Sequence, residues 1–152
     1  MSSERARVIG LLDAFQAAER AGAEAVGRWI ATCYDPRLRG GLRVIRALDQ
    51  RHAALAESRL RMLGGVPAAR VSRGLAALCG VVADPDVSDR SKLALLLERC
   101  PPAGDALLAE LARGVEGDPE TRTLLETIGD DERASLRWLR RMRDALEREG
   151  AA

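Results

Sequence analysis

Residues 42–63 read LRVIRALDQRHAALAESRLRML, and the spacing of their apolar positions decides the fold. Leu42, Ile45, Asp49, His52, Ala56, Leu60 and Leu63 follow one another in steps of three and four, so all of them share one face of a helix. Asp49 and His52 interrupt that face at its middle, where an apolar residue would be cheaper to bury. The spacing predicts a helix from about Arg37 to Leu63 with a polar break on its core side. Asp35-Pro36 opens it, since Asp caps free N–H groups and Pro is preset for the first turn. Gly64-Gly65 and Pro67 stop it.

Two flanking segments repeat this design. From about Glu4 to Cys33 the stripe is Val8, Leu12, Phe15, Glu19, Gly22, Val26, Trp29 and Cys33. From about Pro119 to Glu149 it is Thr121, Leu125, Ile128, Glu132, Ser135, Leu139, Met142 and Leu146. Between them, residues 66–90 are less regular, with a short helix expected to break near Gly80. A further helix is expected from about Asp89 to Val115, carrying Leu93, Leu97, Cys100 and Leu111 and kinked at Pro101-Pro102. No strand pattern competes. The expectation is a single all-α domain over residues 1–152, a four-helix bundle with a long crossover from helix 2 to helix 3.

Composition agrees with that class. Leu, Ala, Arg and Glu dominate and favour helix, and with aromatics at 3% the core must be aliphatic. Basic and acidic residues number 24 and 23, so no global field draws the chain to nucleic acid or an anionic membrane. Arginines crowd the last helix (Arg133, Arg137, Arg140, Arg141, Arg143, Arg148), but with no aromatic interleaving they read as a solvated face. Cys33, Cys79 and Cys100 form no CxxC and read as reduced thiols. With no apolar run in MSSERARVIG, this leads to the expectation of a cytoplasmic protein without a membrane segment.

The chemistry lies in the polar breaks. Glu19, Asp49 and Glu132 occupy similar depths in three helices, and His52 follows Asp49 at i+3, so the two project from one helix face. A buried carboxylate must be paired, protonated or bound to metal. Two solutions stand side by side. Arg20, Arg46, Arg51 or Arg133 pair with the carboxylates in a network without metal. Alternatively, carboxylates and imidazole hold iron, manganese or zinc.

These residues resemble the ferritin-like superfamily, nearest its rubrerythrin-like and uncharacterised bacterial branches. The resemblance is carried by Glu19 in AAERAGA, Asp49-Gln50-Arg51-His52, the MLGGVP ending at Pro67, and Ile128-Gly129-Asp130-Asp131-Glu132-Arg133-Ala134-Ser135. It implies a bundle in which Glu and Glu-x-x-His ligands hold two irons. The chain departs from that pattern: Asp49 stands for a Glu, Ser135 for the second His, and Glu98 is the weak candidate for a helix 3 ligand. The resemblance thus implies a degenerate metal site in a non-catalytic or regulatory relative. A second reading is a metal-dependent oxidase or peroxidase. A third is a helical dimerisation module without metal, a homodimer paired through Ile9, Leu11, Ala18, Ala25 and Ile30 of helix 1. Nucleophilic triad chemistry has no support, since His52 is the sole histidine and no Gly-x-Ser-x-Gly elbow exists.

Overall fold

The computed structural model describes residues 2–99, 108 and 112–151, and among these every regular element is an α-helix. Helix α1 (Ser3–Thr32) begins at Ser2, whose Oγ accepts the Arg5 N–H at 3.2 Å. Helix α2 (Pro36–Met62) begins at Asp35, whose Oδ1 accepts the N–H groups of Arg37 and Leu38 at 2.8 and 3.2 Å. The short link 33–35 folds α1 and α2 into an antiparallel hairpin. At its open end Arg5 Nε donates to the Leu63 carbonyl at 3.0 Å.

The end of α2 shows why a double glycine follows it. Gly64 takes φ +83°, a left-handed conformation that side chains resist. That turn lets Gly65 N–H reach back to the Leu60 carbonyl and Gly64 N–H to that of Arg61, both at 2.9 Å. The chain then runs to α3 (Arg73–Ala83), which passes through Gly80 without the expected break. One glycine in a helix costs only about 1 kcal/mol against Ala, and Val82 of α3 is buried.

Helix α4 (Asp89–Arg99) supplies the first part of the helix expected to reach Val115. Leu108, Ala112 and Arg113 are helical again. Cys100, the Pro101-Pro102 kink, Leu107, Glu110 and Leu111 lie outside the described residues. Helix α5 (Pro119–Gly150) begins at Asp118, whose Oδ1 accepts the Thr121 N–H at 3.0 Å.

Helix α1 lies along α2 and against α3, and α5 lies against α4 and α2. The buried side chains fall into two apolar clusters. One joins Val26, Trp29, Leu38, Leu42, Leu93, Leu139 and Met142 near the α1–α2 link. The other joins Val8, Leu12, Ala56, Leu60, Val115 and Leu125 at the opposite end. Each fully buried Leu contributes about 1.5–3 kcal/mol. Glu19, Asp49, His52 and Glu132 fall between the two clusters in α1, α2 and α5, so the sequence's polar breaks become one polar layer dividing the core.

Three of the apolar residues beside the α1 stripe pack within the chain. Ala25 is buried, and Ile9 and Ile30 pack against the two clusters. Lys92, the chain's one lysine, is also buried; its stem lies in the core and its ammonium 5.6 Å from the centroid of the Trp29 ring. Among the described residues no helix is long and apolar enough to cross a membrane.

Candidate metal centre

One ligand atom from each of Glu19, Asp49, His52 and Glu132 lies within 4.8 Å of every other. Helix α1 brings Glu19, α2 brings the Asp49–His52 pair on its inner face, and α5 brings Glu132. His52 is the buried centre, its side chain 2% exposed. Its Nδ1 lies 3.3 Å from Glu19 Oε2 and 3.5 Å from Glu132 Oε1. Its Nε2 lies 2.9 Å from Asp131 Oδ2. Asp49 Oδ2 faces α1 at Gly22, 3.8 Å from where a side chain there would begin.

Hydrogen bonding alone accounts poorly for this arrangement. Nε2 at 2.9 Å from Asp131 makes an ordinary hydrogen bond. Nδ1 has at most one hydrogen, which Glu19 and Glu132 would have to share at long range. The same separations suit neighbouring ligands of one ion, since bonds of about 2.0–2.2 Å place adjacent ligand atoms roughly 3.0–3.5 Å apart.

The charges are unmatched. Glu19, Asp49, Asp131 and Glu132 surround a single imidazole. The arginines that sequence reading offered as partners are engaged or pointed elsewhere. Arg20 pairs with Glu57, and Arg133 with Asp130. Arg46 lies against Gly27, and Arg51 is exposed. Among the described residues no Lys or Arg pairs with any of the four carboxylates. Protons fill the deficit instead. Burial, then the neighbouring Glu19 and Glu132 charges, push the Asp49 carboxyl up to about 8. Burial also raises Glu19, against the opposing His52 hydrogen bond. Burial would lower His52, but its hydrogen bonds to Glu132, Glu19 and Asp131 prevail and hold it up to about 10.

No family model, no curated protein and no solved structure matches the chain. The residues themselves therefore carry the functional reading.

Four sequence candidates converge here: Glu19, Asp49, His52 and Glu132. Glu98 does not join them. It is exposed on α4, on the side away from Leu93 and Leu97, which face the core. Ser135, in the place of a second histidine, lines a groove with Val44 and Ile45. Sequence reading missed Asp131, which stands three residues after Ile128 at the edge of the α5 stripe, beside the Glu132 that the stripe itself includes; the approach of α2 reveals its part. It also missed Gln16, buried one turn before Glu19, which donates to Asp13 Oδ1 at 3.1 Å while its Oε1 has no partner among the described residues.

Proposed function

We propose that the chain is a ferritin-like four-helix bundle, with a long helix 2 to helix 3 crossover, whose polar layer holds a single transition-metal ion. Glu19, Asp49, His52 and Glu132 are its ligands. The observation that carries this reading is the unmatched charge: four carboxylates face one imidazole, and no arginine reaches them. A divalent cation supplies the missing positive charge. Carboxylate and imidazole donors together suit iron, manganese or zinc. Asp131 accepts from His52 Nε2, which leaves Nδ1 as the ligating nitrogen and fixes the ring between Glu19 and Glu132.

A dinuclear centre is not supported. Ser135 replaces an imidazole donor, and Glu98 is exposed on α4 and outside the cluster. One ion with a regulatory or structural role fits this ligand set best. A second reading, a metal-dependent oxidase or peroxidase, draws on one feature: the Glu132 and Asp131 side chains are 32% and 38% exposed, so a small oxidant can approach from their side.

The test is metal analysis of purified protein after equilibration with iron(II), manganese(II) or zinc(II) and removal of unbound ion. The reading expects about one ion per chain in the native protein and none in a Glu19→Ala/His52→Ala variant. Equal metal in native protein and variant overturns it. Steady oxygen or peroxide consumption by the loaded protein, absent from the variant, would move the assignment to the enzymatic reading.

A further inference from the structure

We propose that the outer groove between α2 and α5 docks an acidic amphipathic helix of a partner protein. Val44, Leu48, Leu55 and Met62 stand at helical spacing along the outer face of α2. Val44 is 61% and Met62 66% exposed, a large apolar area to leave in water. Beside this line, Val44, Ile45 and Leu48 of α2 and Ala134 and Trp138 of α5 wall a cavity of about 230 Å³. Its floor is set by a close approach: a Cβ on Gly41 would run into the Trp138 ring. At the Val44 end the surface is thus a recess between two long helices, from which the exposed line continues through Leu55 to Met62.

The rim is basic. Arg51 follows Val44 by seven residues on the same line, and Arg137 and Arg141 flank Trp138. All three are exposed, and the ion pairs of α2 and α5 use other arginines: Arg37, Arg59, Arg61, Arg133 and Arg143. The acidic residues of α2 are engaged, Asp49 in the polar layer and Glu57 with Arg20 and Arg61.

These charges select the occupant. A second copy of this chain would bring one arginine rim against another. A membrane meets a recess poorly. A helix with apolar side chains at i, i+4, i+7 and i+11 and carboxylates beside them matches both floor and rim. The line from Val44 to Met62 offers it about 27 Å of contact.

The experiment uses the full chain and two synthetic fluorescein-labelled peptides of about 18 residues, with leucines at that spacing and either glutamate or lysine on the remaining faces. Fluorescence anisotropy is expected to show saturable binding of the glutamate peptide, at least about tenfold tighter than the lysine peptide and weaker with added salt. Val44→Glu and an Arg137→Glu/Arg141→Glu double variant should each lose about tenfold or more at unchanged helix content. If Val44→Glu loses helix content, Leu55→Glu at the same face serves in its place. Three outcomes overturn the proposal: no binding of the glutamate peptide at about 1 mM, equal binding of both peptides, or peptide affinity unaffected by the variants. Sedimentation showing a dimer that Val44→Glu dissociates would give the face to a second copy. Val44-dependent binding to phosphatidylserine vesicles without peptide binding would give it to a lipid surface.

Discussion

Helix α2 meets α5 at two polar contacts seven residues apart, and they are built on opposite principles. At Arg59 the contact is closed. The guanidinium donates to Thr121 Oγ1 at 2.9 Å and Asp118 Oδ1 at 2.6 Å, and pairs with Glu120. Asp118 meanwhile caps α5 and accepts from the Thr121 N–H and hydroxyl. At His52 the contact is open: the carboxylates outnumber the cation, and Nδ1 faces two of them at lengths beyond a good hydrogen bond. A closed network contributes order and stability. An open, charge-deficient one holds its carboxylates together at a cost, which a bound cation removes.

The sharpest way to break this contrast is His52→Ala. It should reduce metal affinity by more than about 100-fold, since it removes the one nitrogen ligand. Metal-free stability at neutral pH should fall as well, because the imidazolium is the layer's one cation and its raised pKa stabilises the fold. Competition with a chromophoric chelator measures the first and urea unfolding the second. Arg59→Ala should lower stability without touching the metal. It leaves Asp118, largely buried, without its cation, and should cost roughly 3 kcal/mol in urea unfolding. Metal stoichiometry should remain that of the native protein. If Arg59→Ala also lost the metal, the two contacts would be one cooperative unit and the contrast would fail.

A smaller effect is expected from Asp131→Asn. An amide at this position can still hydrogen-bond Nε2 but no longer favours a proton there, so Nδ1 is less reliably free. Metal affinity should fall about 10- to 100-fold, with helix content unchanged by circular dichroism. An unchanged affinity would mean that Asp131 makes only a surface contact.

Where the sequence was legible, the reason is periodicity. Helices α1, α2 and α5 lie within a residue or two of the bounds read from steps of three and four and from the Asp-Pro starts. The alignment of Glu19, Asp49, His52 and Glu132 was legible for the same reason, because equal depth in long helices becomes one layer when they pack side by side. What was hidden depends on contact between helices. Asp131 lies at the edge of its own stripe and matters because α2 brings His52 to it. No step of the sequence pattern marks Lys92 as buried, yet its stem lies beside Trp29. The missing side chain of Gly41 is where Trp138 fits, a contact the spacing within α2 does not reveal. Periodicity also marks the second α1 stripe as apolar without saying which element covers Ile9, Ala25 and Ile30, which pack within the chain.

Asp49→Asn should have the smallest effect, and its sign is the informative part. In the folded, metal-free protein the Asp49 pKa rises from 3.8 to about 8. A raised carboxyl favours its neutral form on folding. Its contribution is therefore full below the unfolded pKa and is lost as pH climbs through about 8. His52, raised from 6.5 to about 10, acts in the same direction over a higher range. The metal-free protein should accordingly lose stability between about pH 5 and pH 9. The neutral amide of Asp49→Asn should flatten the lower part of that decline and raise the thermal midpoint at the alkaline end. Saturating metal should flatten the decline in the native protein too, since a cation favours the same carboxylates in their charged form, but not in Asp49→Asn, where a ligand is gone. Thermal unfolding across pH, with and without metal, separates these cases. A flat native profile without metal would mean that the four carboxylates find their countercharge some other way.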